Sequence, residues 1–141
     1  MQPDQTLQLD GMTVQTLGST DEGVAFLVQA EGWRIFHAGD LHLWYWDGDT
    51  PAERQLMYDR YRAELAKLEN AEIDVAFLVL DDRQSEADAP LGIELFQRMT
   101  RTRRIFPMHN HYDAKQLEQK IQQVQPHDVL INTRRKLVYE I

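Results

Sequence analysis

Trp33-Arg34-Ile35-Phe36-His37-Ala38-Gly39-Asp40-Leu41-His42 is the stretch from which the fold can be read. It begins with the bulky apolar and aromatic residues of a strand. At Gly39-Asp40 the chain must turn, which releases a carboxylate at the strand's end, between His37 and His42. Strand-end loops are where a rigid scaffold displays its chemistry. A second histidine-bearing strand end follows later, Phe106-Pro107-Met108-His109-Asn110-His111. The two ends are expected to converge on one polar, metal-binding site.

Upstream of this stretch the chain reads as β-hairpins. Leu7–Leu9 and Met12–Leu17 alternate in the period of a strand, and Asp10-Gly11 between them is a hairpin-type turn. Gly18–Gly23 is a polar loop. Val24–Val28 is continuously apolar, which predicts a strand covered on both faces, and Ala30-Glu31-Gly32 turns it back into Trp33–Ala38.

Downstream, Trp44-Tyr45-Trp46 does not fit an amphipathic helix and reads either as a satellite core or as the wall of a pocket. Thr50-Pro51-Ala52-Glu53 is a capping box with proline at the first helical position. Met57, Tyr61, Leu65 and Leu68 then recur along one helical face. Ile73–Leu80 reads as a buried strand and Asp81–Glu86 as a solvated loop. A second helix opens at Asp88-Ala89-Pro90 and carries Leu91, Leu95, Phe96 and Met99 inward. Arg101, Arg103 and Arg104 read as a solvated helix end, and Arg104–Met108 as a strand. Asp113 and Gln116 cap a third helix with Leu117, Ile121 and Val124 inside. Short strands at Asp128–Asn132 and Lys136–Ile141 close the chain. Hairpins followed by strand–helix units predict an α/β (α+β) fold, a mixed sheet with helices on one face.

Composition narrows the function. The 141 residues are one domain's worth of chain, 43% apolar and 27% charged, as in ordinary globular proteins. The net charge of −8, from 23 acids against 15 bases, argues against nucleic acid and anionic membranes as partners. The chain has no cysteine, so a metal must be held by His, Asp or Glu. No stretch approaches the roughly 18 apolar residues of a membrane span, and Met1–Gln5 lacks the marks of a signal peptide. A cytoplasmic protein is expected.

His109-Asn110-His111 places two imidazoles on one side of an extended segment. With Asp40 at a comparable strand end, they offer the imidazole and carboxylate donors that suit zinc, manganese or iron. His37, inside its strand, reads as a hydrogen-bonded residue of the core, or one that supports a ligand from behind, rather than as a ligand itself. His42 reads either way, His127 as a surface residue, and Asp21 as the cap of its turn. Ser19 and Ser85 lack the setting of an activated nucleophile, and no glycine-rich phosphate loop opens a helix. No catalytic side chain is assigned.

Gly18–Val28 followed by Ile35-Phe36-His37-Ala38-Gly39-Asp40-Leu41, the Ile73–Leu78 strand, and Phe106-Pro107-Met108-His109 together resemble the later half of metallo-β-lactamase-fold hydrolases. The resemblance covers nearly the whole chain with its motifs in order. It implies a four-layer αββα sandwich holding one or two metals, usually zinc, between its sheets. It also implies Asp40 as the carboxylate bridging two metals and His109 as the last ligand of the second. Where the family commonly has a loop histidine, this chain has Ser19-Thr20-Asp21, which makes Asp21 a candidate ligand. His111, outside the family's motif, and His42 complete the candidates.

The family's first metal motif, His-x-His-x-Asp-His, has no counterpart in this sequence. The resemblance therefore implies that residues 1–141 form a single partial domain, the C-terminal half of the sandwich, with an incomplete zinc site and no turnover by this chain alone. It implies a homo-oligomer joined through an exposed sheet face. The other expectation is a non-catalytic half-domain serving self-association or partner binding. The substrate is not legible in the sequence.

Overall fold

The structure, a computed structural model, describes residues 1–124 and 127–135. The expected closing strand Lys136–Ile141 lies outside the described residues, as does the side chain of His127.

One six-stranded sheet carries the architecture, with its strands in the order of the sequence. β1 (Thr6–Leu9), β2 (Met12–Leu17), β3 (Ala25–Ala30) and β4 (Trp33–His37) form an antiparallel meander. The β3–β4 turn has positive φ at both central residues, Glu31 at 49° and Gly32 at 81°, the twist that a two-residue hairpin needs. β5 (Glu72–Val79) and β6 (Arg101–Met108) then add parallel to β4. Parallel neighbours require crossovers, supplied by α1 (Pro51–Ala66) and α2 (Leu91–Met99), and α3 (Ala114–Gln123) follows β6. Both expected capping boxes are present, Thr50 with Glu53 and Asp113 with Gln116.

The three helices bury their apolar residues in one cluster on one face of the sheet. Leu27, Phe36, Ala76 and Ile105 meet Leu65, Ile93, Phe96, Leu117 and Ile121 there. Phe36 stacks on Phe96 with ring centroids 5.1 Å apart, and the buried Tyr61 hydroxyl donates to the Gly92 carbonyl at 2.9 Å. The expected mixed sheet with helices on one face is therefore what forms. In α2 the deepest side chains are Ile93 and Phe96, with Leu91, Leu95 and Met99 partly buried at the margins.

Several local expectations are corrected. β3 is not covered on both faces: Ala25 and Leu27 are buried, whereas Phe26 and Val28 on the other side are only partly so. Asp128–Asn132 does not extend into a strand. It forms a single 3-10 turn at His127–Val129, and Leu130 makes one parallel bridge to Ile105. The loop after β5 is solvated only in part: Arg83 and Glu86 are exposed, but Asp81 and Gln84 are 1% and 7% exposed.

Among the described residues, no helix covers the second face of the sheet. The register aligns Phe26, His37, Phe77 and Phe106 in one row and Val14, Val28, Ile35 and Val75 in the next. Phe77 stacks on Phe106 at 5.4 Å and against His37 at 5.7 Å. Most of these side chains are partly exposed and His37 is exposed, so it is not a core residue, although its Nδ1 accepts the Gly39 N–H at 3.0 Å. Leu7, Leu9 and Trp33 extend the apolar surface toward the β1 edge with 42%, 47% and 37% exposure.

Candidate functional site

Ligands of open α/β sheets bind beyond the carboxyl ends of parallel strands. Here β4, β5 and β6 are three such neighbours, and each ends in a residue of interest. Asp40 lies three residues after β4, Asp81 two after β5, and His109 directly after β6.

These three side chains meet. Asp81 Oδ2 is 2.9 Å from His109 Nδ1, and His109 Nε2 is 3.5 Å from Asp40 Oδ1. His109 is held at φ +67°, a left-handed conformation that costs a non-glycine residue energy and that clusters at functional sites. Asp81 also takes the Arg83 backbone N–H at 2.8 Å and its guanidinium at 2.6–3.1 Å. Burial opposes the charge on Asp81, but the bonds from Arg83 and His109 outweigh it and hold the carboxyl down at about 2. The carboxylate is thus ionised and stands within hydrogen-bonding distance of His109 Nδ1, while His109 Nε2 faces a second carboxylate, that of Asp40.

The Asp40 turn is clamped from behind. The Thr20 hydroxyl accepts from the His42 N–H at 2.9 Å and donates to the His42 carbonyl at 2.6 Å. Trp44 Nε1 donates to the Asp40 carbonyl at 2.9 Å. Gly39 adopts φ +55°, and a Cβ there would stand 2.8 Å from the Val24 carbonyl oxygen, so the turn requires glycine.

His42 is 1% exposed. Gln84 Nε2 donates to the Leu43 and Tyr45 carbonyls at 3.0 and 3.2 Å, which orients Gln84 Oε1 toward His42 Nε2 at 2.8 Å. His42 therefore carries its proton on Nε2. Burial lowers its pKa to about 4, only partly opposed by Gln84.

The aromatic run divides between burial and exposure, with Trp44 packed as a satellite core would be. Trp44 is buried, Trp46 is 38% exposed, and the two stack at 5.7 Å. Trp44 meets His109 edge-on at 5.8 Å, while the Arg83 guanidinium lies over Trp46. Around His109 lies a cleft of about 400 Å³ lined by Asp81, Arg83, His109, Asn110 and His111.

Of the candidate ligands, the fold brings Asp40 and His109 together. His111 instead lies 3.3 Å from Asp82, 88% exposed. Asp21 stands on the exposed loop, where the Ser19 hydroxyl accepts its N–H at 3.2 Å, so Ser19 rather than Asp21 caps that turn. Asp81, Gln84 and Thr20 were not legible as site residues.

Two ligand atoms of one tetrahedral ion, each bonded at roughly 2.0–2.2 Å, stand about 3.3–3.5 Å apart. The Asp40–His109 separation of 3.5 Å fits that spacing and is long for a hydrogen bond. The pair therefore fits a metal as two corners of a ligand set. Among the described residues, no group of three or more His, Cys, Asp or Glu side chains could hold a metal ion.

Solved structures share this fold, the metallo-β-lactamase fold. The chain superposes on a Thermotoga maritima protein assigned to the Zn-dependent hydrolases of the metallo-β-lactamase superfamily with a TM-score of 0.55 at 18% identity, covering 89% of this chain and 58% of that one. For Igni18, a metallo hydrolase from Ignicoccus hospitalis, the TM-score is 0.58 at 18% identity, over 93% of this chain and 55% of the other. The metallo-β-lactamase fold protein YhfI from Bacillus subtilis gives 0.55 at 14%, over 88% and 48%. The chain thus spans about half the length of these proteins. No protein-family model matches the sequence, and no curated protein matches it. Among the described residues no helix is long and apolar enough to cross a membrane.

Proposed function

We propose that this chain carries part of the metal site of a metallo-β-lactamase-superfamily hydrolase and does not turn over substrate alone. The observation behind this reading is the approach of His109 Nε2 to Asp40 Oδ1 at 3.5 Å, two electron-pair donors converging at the carboxyl edge of parallel strands. Zinc suits the pair, and in such sites a bound zinc lowers the pKa of its water to about 7 and so supplies a hydroxide. A catalytic zinc takes about three protein ligands, so the remaining donors must come from elsewhere. A second copy facing the first across the open sheet could lend them. A cytoplasmic setting accords with this reading. The test is zinc stoichiometry after chelation and reloading. A bound ion that Asp40→Ala or His109→Ala releases is the expected result, and a stoichiometry near zero ends the proposal.

A second reading rests on the half-exposed row Phe26, Phe77 and Phe106 with Val14, Val28 and Ile35. An apolar face of this kind seeks cover, which a non-catalytic self-association module would obtain by dimerising. On that reading sedimentation gives a dimer that Asp40→Ala and His109→Ala leave intact. Loss of assembly in those variants, with the fold preserved, contradicts it.

A further inference from the structure

We propose that Asp81 is the positioning residue of this site, setting the tautomer and ring orientation of His109 so that Nε2 presents its electron pair to Asp40. The argument begins with what an imidazole at this place would otherwise do. Asp40 Oδ1 accepts, so an isolated neutral His109 would gain by putting its proton on Nε2 and donating toward it. The buried Asp81 carboxylate competes from the opposite side at 2.9 Å, against 3.5 Å for Asp40. It is also the better held of the two acceptors, with Arg83 bound to both of its oxygens and 1% exposure for its side chain against 35% for that of Asp40. The shorter bond to the more enclosed carboxylate takes the proton onto Nδ1.

The same short segment sets the other histidine the opposite way. Three residues after Asp81, the doubly anchored amide of Gln84 presents its oxygen to His42 Nε2 at 2.8 Å, which makes that nitrogen the protonated one. Residues 81–84 thus hold His109 as the Nδ1–H form and His42 as the Nε2–H form. One histidine offers its electron pair to the cleft, and the other keeps its pair against Gly92, where a Cβ would come within 2.5 Å of His42 Nδ1. This division explains why His42, next to the site in sequence, does not join the ligand pair.

The effect on metal affinity rests on the reading under Proposed function, whereas the tautomer assignment does not. Long-range ¹H–¹⁵N correlation spectra of metal-free, ¹⁵N-histidine-labelled protein, recorded at a pH where the spectra show neutral rings, should show His109 with its proton on Nδ1 and His42 with its proton on Nε2. Asp81→Asn should move the His109 proton toward Nε2 and leave His42 unchanged. Asp82→Asn, whose carboxylate touches His111 instead, should leave both as they are. Zinc affinity should fall about 10–100-fold in Asp81→Asn and stay constant in Asp82→Asn. An Nε2–H tautomer at His109 in the unsubstituted protein overturns the proposal even if Asp81→Asn fails to fold. An unchanged tautomer in a folded Asp81→Asn overturns it as well. If the unsubstituted protein binds no zinc yet its His109 proton moves on Asp81→Asn, the positioning role stands and the metal reading falls.

Discussion

The two faces of the sheet are made from the same strands and differ in what the rest of the chain does for them. On one side α1, α2 and α3 seal Phe36, Ala76 and Ile105 to 0% exposure. On the other, Phe77 and Phe106, each next in sequence to a sealed residue, stack on one another only partly buried, with Phe26 in the same row. Apolar character alone therefore does not define a core. What separates the faces is whether a crossover helix follows the strand, and right-handed crossovers place both helices on one side.

Substitutions on the two faces should differ most. Phe96→Ala removes the ring stacked on Phe36 and should cost about 3–5 kcal/mol, read by urea denaturation. Phe77→Ala on the open face should cost distinctly less, and equal losses would mean the second face is covered in solution.

Acid should sharpen the same contrast, because His42 lies on the sealed side. The unfolded chain binds its proton near the ordinary 6.5, but the folded chain refuses it until about 4. Between those values the unfolded state holds more protons, so stability falls as pH drops, by about 3 kcal/mol in all. Asp81, held at about 2 against its usual 3.8, adds a further loss below pH 4. Denaturation of chelated protein at pH 7 and pH 4.5 measures the first part, and a flat profile would contradict the burial of His42.

Gly39→Ala comes next, adding a side chain at φ +55° that would stand 2.8 Å from the Val24 carbonyl. It should destabilise by more than about 1 kcal/mol, seen in the same denaturation assay. Smallest is Val28→Thr on the open face, within about 0.5 kcal/mol for the isolated chain. Its effect should appear in sedimentation, as weaker association if that face is an interface.

Most of the architecture was legible because it is written in local patterns. The capping boxes at Thr50 and Asp113, the hairpins around Asp10-Gly11 and Glu31-Gly32, and the apolar Ile73–Leu80 run each announce one element. Asp40 and His109 could be found because each follows such an element. Asp81, Gln84 and Thr20 could not, since their partners His109, His42 and the His42 peptide lie 28, 42 and 22 residues away. A polar residue after a strand looks the same on paper whether it faces water or another loop. Asp81–Glu86 was misread in part for that reason.

The hydroxyl of Thr20 has one more consequence. By serving both the N–H and the C=O of His42, it leaves the turn bearing Asp40 little room to hinge, so this carboxylate waits already aimed. Across the cleft Arg83 is tied in turn to both oxygens of Asp81, so the two sides are anchored before any molecule enters.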